Sequence, residues 1–258
     1  MLNIAQKAAR AAGTLMLRAM DRLEYLEITE KSENDFVTEA DIQAEKEIIF
    51  HLNRAYPEHS FMAEESGEIL GKDITHKWII DPIDGTANYM RGIPHFCVSI
   101  ALEVKGRIEL GVIFDPVRDE MFTAMKGRGA QLNNRRMRVS NTIKIERALL
   151  STGLPRRQSS QHEKLLEKYL TGFNTLSKHA GDIRHLGSSA LDLAYVAAGR
   201  LDGYWEYSLA PWDMAAGALM VKEAGGFVTD IEGKDNFIKN GTILAATPKV
   251  YPHIFNAL

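Results

Sequence analysis

The stretch WIIDPIDGTANY, from Trp78 to Tyr89, runs an apolar segment into two aspartates, Asp81 and Asp84, and closes on a glycine and a threonine. Two carboxylates so near each other repel, and each is costly to remove from water, so a strand ending on both calls for a positive charge between them. Pro82 fixes φ and removes an amide. Gly85 permits an unusual backbone angle or the close approach of a ligand. Thr86 is suited to cap a following helix, which would leave the amides near Gly85 and Thr86 aimed at an anion. One loop then offers hard oxygen ligands to a cation and amide donors to a phosphate, a combination that suits Mg²⁺. Alone, a DxxDG sequence is most often a solvated turn with a helix cap.

Two more segments carry carboxylates. Met62-Ala63-Glu64-Glu65-Ser66 sets adjacent acids ahead of Gly67, and Ala210-Pro211-Trp212-Asp213 puts one in the first turn of a helix. Singly, the first is an exposed acidic loop and the second a favourable interaction with the helix dipole. Together, Glu64-Glu65-Ser66, Asp81 to Tyr89, Trp212 to Gly217 and Glu223-Ala224-Gly225-Gly226 form a pattern, joined by Lys31-Ser32 and Val37 to Asp41. The chain resembles the inositol monophosphatase family of lithium-sensitive, metal-dependent phosphatases, in order and spacing along nearly its whole length.

That resemblance implies a layered α-β-α-β-α sandwich, a homodimer, and two or three Mg²⁺ per active site. It implies metal ligation by Glu64, Asp81, the carbonyl of Ile83, Asp84 and Asp213, with Asp81 bridging. It places Glu65, with Glu64, where a third metal and a metal-bound water sit. Asp41 and Thr86 would orient or deprotonate the attacking water, and Lys31 would approach the metals from a loop. Substrate contacts fall to Asp84, to the amides of Gly85 and Thr86, and to Ser189 and Glu206 for polyol hydroxyls. The implied reaction is hydrolysis of inositol monophosphate and related polyol or sugar phosphates by direct attack of metal-activated water. Relatives acting on fructose 1,6-bisphosphate, adenosine 3′,5′-bisphosphate or histidinol phosphate supply the alternative substrates.

No competing nucleophile motif is present: Cys97 lacks a C-x5-R setting, Ser66 lacks a nucleophile elbow, and Walker and Rossmann glycine loops are absent. The histidines show neither HxH nor HxxxH spacing. A reading of another class is a partner protein of the transcription machinery. Residues 126–138 carry Lys126, Arg128, Arg135, Arg136 and Arg138 without an acid, and Arg156-Arg157 adds two more. The bland account is a solvated hairpin and loop; the rival is a surface for RNA or an acidic protein.

Elements must bring these segments together. Ile4, Ala8, Ala11, Leu15 and Ala19 predict an opening helix, and Thr38 an N-cap for a second with Ile42, Ile49 and Leu52 on one face, ended by Tyr56-Pro57. Trp78–Ile80, Cys97–Leu102, Glu109–Phe114 and Glu120–Ala124 read as strands joined by turns at residues 104–107 and 115–118, with another turn at Asn133-Asn134. Beyond about residue 145, strands at 148–151, 203–207, 226–230 and 242–246 alternate with helices at 161–173, 188–198 and 211–224. The fold class is therefore α/β. An α+β half, residues 1–145, holds an antiparallel sheet and most metal ligands; an α/β half, 146–258, supplies Asp213 and the substrate pocket. The two are expected to pack as one unit.

The chain of 258 residues has net charge −3, with 25% charged and 45% hydrophobic residues, ordinary for a soluble globular protein. Nothing in this balance calls for membrane or general nucleic-acid binding. The lone Cys97 excludes an internal disulfide and lies in an apolar run, as a core thiol does. The opening segment is amphipathic with scattered Lys7, Arg10 and Arg18, unlike a signal peptide, so the cytoplasm is the expected location.

Overall fold

The computed structural model describes residues 1–20, 28–32, 35–157 and 159–258, and no side chains between 21 and 37. Helices α1 (Leu2–Met20) and α2 (Glu39–Ala55) flank a small hairpin of β1 (Ile28–Ser32) and β2 (Asp35–Thr38). Then come β3 (His59–Ala63), β4 (Gly67–Ile69), β5 (Asp73–Asp84), the short helix α3 (Thr86–Met90), β6 (Cys97–Val104), β7 (Arg107–Asp115), β8 (Glu120–Met125), β9 (Gly129–Leu132) and β10 (Arg135–Arg136). The remainder runs β11 (Leu149–Thr152), α4 (His162–Ser177), β12 (Asp182–Arg184), α5 (Ser189–Ala197), β13 (Gly203–Tyr207), α6 (Pro211–Glu223), β14 (Phe227–Thr229), α7 (Phe237–Asn240), β15 (Thr242–Ala246) and α8 (Tyr251–Phe255).

Strands β10-β9-β8-β7-β6-β5-β3-β4 form one eight-stranded sheet, antiparallel except where β3 runs parallel to β5. A five-stranded sheet follows the order β12-β11-β13-β15-β14, parallel among the first three and antiparallel beyond. Side chains of a strand alternate between faces. Trp78, Ile80, Val98, Ile100 and Val112 pack with α1 and α2, whereas Ile79, Ala101, Ile113 and Phe122 pack with α5 and α6. The middle helices also meet the five-stranded sheet through Tyr204, Ile243 and Ala245, and its far face is covered from α4 and α8 by Tyr169, Leu176 and Ile254. The layers are thus α-β-α-β-α.

Close packing in the middle layer depends on small residues. A Cβ at Gly111 of β7 would lie 2.9 Å from the Ala216 carbonyl of α6, and one at Gly217 would overlap Leu193 of α5. The Ala215-Ala216-Gly217 run therefore lets α6 lie on the sheet and against α5 at once, which fixes where its first turn, with Asp213, can reach.

Local signals gave the helix ends. Thr38 caps α2 in a capping box with Asp41, and Tyr56 ends it. Lys105 and Gly106 turn between β6 and β7 at φ 51° and 76°, the left-handed pair a tight hairpin needs. Two expected helix faces are turned. On α1 the buried stripe is Ala5, Ala8, Ala9, Ala12 and Met16, with Ile4 and Leu15 at its margin, because α1 approaches the sheet so closely that a Cβ at Gly13 would sit 2.7 Å from the Phe114 ring. On α2, Ile42 is exposed; the buried positions are Ala40, Asp41, Ala44, Glu45, Ile48 and Leu52. Among the described residues no helix is long and apolar enough to cross a membrane.

Candidate active site

A register shift in β5 creates the centre. Asp81 pairs with Ser99 and Asp84 with Cys97, so three steps on β5 oppose two on β6. Residues i and i+3 of a regular strand point to opposite faces; one inserted residue restores the parity. Both aspartates thus share the face of Ile79 and Cys97, toward the middle helices. Pro82, with no amide to pair, stands within the irregularity. Ser99 Oγ donates to the Trp212 carbonyl at 3.2 Å, tying this part of β6 to the first turn of α6. One carboxylate oxygen from each of Asp81, Asp84 and Asp213 lies within 4.8 Å of the others, and all three residues are buried.

Each acid is held differently. Asp84 Oδ2 accepts from the Ala190 amide at 2.8 Å and from the Ser188 hydroxyl, the N-cap of α5. Asp213 Oδ2 accepts from the Ala210 amide and from Arg156 Nη2, both at 2.7 Å. Asp81 Oδ1 is buried and has no hydrogen-bond donor among the described residues. Glu64 follows β3, its amide donating to the Ile80 carbonyl at 3.2 Å, beside Asp81. Burial first, then Glu64, Asp84 and Asp213, push the Asp81 carboxyl well above the ordinary range. Burial and then Asp213 raise Asp84 to about 6. Burial also raises Asp213, against the lowering pull of Arg156. Crowded acids with an orphaned buried oxygen and an all-oxygen donor set fit a hard divalent cation.

Beside this centre, Thr86 donates to the Ile83 carbonyl at 3.0 Å and reaches Asp41 Oδ1 at 3.4 Å. Thr86 is the first residue of α3 rather than its cap; the cap position is Gly85, at φ 98°, with no side-chain bond. A Cβ there would lie 3.1 Å from the His95 carbonyl and 3.2 Å from that of Gly187, so Gly85 meets both a backbone and a space requirement. Burial raises Asp41 to about 6 against the Thr38 donors, with Glu65 adding to the rise. Lys31 lies on β1, where no side chain is described.

The residues expected to contact polyol hydroxyls also converge. Glu206 Oε2 accepts from Tyr204 Oη at 2.5 Å and Ser189 Oγ at 3.4 Å, and burial lifts its carboxyl to about 8. A Cβ at Gly153 would overlap this carboxylate.

A sequence profile of the inositol monophosphatase family matches residues 1–258. This chain belongs to that family. The chain is 48% identical to Nus factor SuhB of Pseudomonas aeruginosa, covering 100% of this chain and 95% of the relative. The extragenic suppressor protein suhB of Bartonella henselae superposes with a TM-score of 0.94 at 44% identity, covering 99% and 96% of the two chains. Inositol monophosphatase from Anabaena does so with a TM-score of 0.86 at 38% identity, covering 99% and 94%.

Several residues of this chain escaped the sequence reading. Arg156, grouped there with a basic surface, is instead paired to Asp213. Glu45, one turn beyond Asp41, accepts from the amides of Glu65 at 2.8 Å and Ser66 at 3.0 Å, pinning the acidic turn. Asn88 donates to the carbonyls of His95 and Leu186, each at 2.8 Å, linking the segment after α3 to the one before α5. Its place in the DGTAN run was the available signal. His59, Asp73 and His76 cluster although no histidine motif is present. Cys97 is buried, as expected of a core thiol.

Proposed function

We propose that the chain is a Mg²⁺-dependent phosphomonoesterase acting on inositol monophosphate and related polyol phosphates. The observation that carries this reading is the convergence of buried Asp81, Asp84 and Asp213 around an unpartnered carboxylate oxygen. Glu64, Asp81, the Ile83 carbonyl, Asp84 and Asp213 would hold the cations. When bound, Mg²⁺ would supply positive charge to a phosphoryl group and lower the pKa of a water. Thr86, within reach of Asp41, would receive the proton of an attacking water as it passes its own to that carboxylate, whose pKa near 6 suits a base at neutral pH. Glu65 would assist from the turn that Glu45 pins, and Lys31 from β1. The Gly85 and Thr86 amides would bind phosphate, while Glu206 and Ser189 would orient polyol hydroxyls. The test is phosphate release with Mg²⁺ from inositol 1-phosphate, fructose 1,6-bisphosphate, adenosine 3′,5′-bisphosphate and histidinol phosphate. Fastest turnover of inositol 1-phosphate is expected, and no release from any substrate would overturn the reading.

A second role draws on the name of a relative, Nus factor SuhB. By that name, this chain would also take part in a transcription complex. Its basic hairpin supports an exposed surface: Arg128, Arg135, Arg136 and Arg138 are exposed, and Glu223 anchors the turn by accepting from the Gly127 and Gly129 amides at 2.7 Å. An RNA shift assay across salt concentrations tests direct RNA contact, since phosphate contacts weaken steeply with salt.

A further inference from the structure

Arg156 stands in the loop after β11 and reaches from solvent onto the acidic centre. Its Nη2 lies 2.7 Å from Asp213 Oδ2, and its side chain is 44% exposed while that of Asp213 is 3% exposed. Glu64, Glu206 and Asp81 attract the same guanidinium after Asp213. A permanently charged guanidinium therefore already sits where the acids call for a positive charge. Resting on the reading of a cation held at Asp81, Asp84 and Asp213, we propose that Arg156 and the divalent cation compete for Asp213, so that Arg156 sets how tightly the centre holds metal.

Two effects of opposite sign decide the outcome of removing Arg156. The guanidinium helps orient the Asp213 carboxylate, so its loss could loosen a ligand. It also repels a nearby dication, so its loss should tighten binding. Orientation has a second source: the Ala210 amide donates to the same oxygen at 2.7 Å and stays in place without Arg156. Repulsion has no such substitute, and charge–charge energies are large at short range in a buried site. The charge effect wins. Because the arginine side chain is partly exposed, it can also swing into water, so it weakens metal binding without barring it.

Calorimetric titration of Mg²⁺ into wild type, Arg156→Gln and Arg156→Lys near neutral pH tests this, with the Mg²⁺-induced rise in melting temperature as a second readout. Arg156→Gln should bind about tenfold tighter or more, from the loss of one nearby like charge. Arg156→Lys, which keeps the charge, should stay near wild type. Equal or weaker binding by Arg156→Gln would overturn the inference alone, as would Arg156→Lys binding as tightly as Arg156→Gln. No heat and no melting shift in any of the three would overturn the cation reading, and this inference with it.

Discussion

Glu206→Gln separates stability from function in one substitution. Glu206 is 9% exposed on β13, and burial above all raises its carboxyl from 4.5 to about 8. A carboxyl that binds its proton more tightly when folded lends full stability below the unfolded pKa and loses it as pH climbs toward the folded one. Each pH unit in that window counts about 1.4 kcal/mol, so the folded state forfeits on the order of 4–5 kcal/mol by pH 8. Glutamine has no such titration, although it gives up part of the strong bond from Tyr204, leaving a gain of roughly 2–4 kcal/mol. For a chain of this size that is a rise of about 5–10 °C in Tm near pH 8, shrinking as pH falls and turning into a small loss toward pH 4.5, where only the weakened Tyr204 bond remains. Titrating groups remote from Glu206 cancel in the difference, whereas buried Asp192, which Glu206 helps to raise, is relieved in the variant and adds to the same trend. The assay is thermal melting of both across this pH range with a chelator present. The same variant should turn over inositol 1-phosphate about tenfold worse in kcat/KM, the upper scale of one net hydrogen bond, with little change on an aromatic phosphate lacking hydroxyls. Melting differences that do not vary with pH, or a less stable variant near pH 8, would refute the electrostatic argument. Equal losses on both substrates would refute the substrate contact.

Asp213→Asn should raise the Mg²⁺ concentration needed for activity and reduce the Mg²⁺-induced gain in Tm, because one of few protein ligands is lost; superimposable titrations would count against a shared cation. Asn88→Ala leaves the His95 and Leu186 carbonyls without their donor and should cost about 2 kcal/mol in denaturant unfolding; a change within about 0.5 kcal/mol would show that water replaces the amide. His59 is held neutral, its pKa lowered by burial and then by His76, while its Nδ1 accepts from the Trp78 indole at 3.1 Å. Its stabilising effect is present above the ordinary 6.5 and is lost as pH falls. Wild type should therefore lose more Tm on acidification than His59→Gln, and parallel acid melting curves would disprove it.

Much of the fold was legible because its signals are local. The Thr38 cap needs residues three apart on one chain, and it forms with Asp41 as its reciprocal partner. The ends of α5 and α6 are marked by Ser188, Pro211 and Gly225, each specifying backbone geometry where it stands. The short strands β3, β4, β9, β10 and β12 were not read. Runs of two to five residues carry too little alternation, and their pairing partners supply the order. Likewise, Ile42 looked like a core position by spacing, yet which face of α2 is buried depends on how it packs against α1 and β5.

The acidic segments, their order and the glycine and proline between them were determined by the sequence alone, since side-chain type fixes charge and ligand chemistry wherever the chain goes. Tertiary structure decided that they meet. Asp81 and Asp84 would face opposite sides of a regular strand; pairing with β6 across a shifted register turns both toward α5 and α6. Asp213 joins them because Gly111 and Gly217 let α6 come close to sheet and helix, and because Ser99 holds the Trp212 carbonyl. Arg156 was beyond the reach of sequence for the same reason. A guanidinium beside another arginine reads as surface charge, and its pairing with Asp213 arises from long-range folding that brings residues 57 positions apart within 2.7 Å.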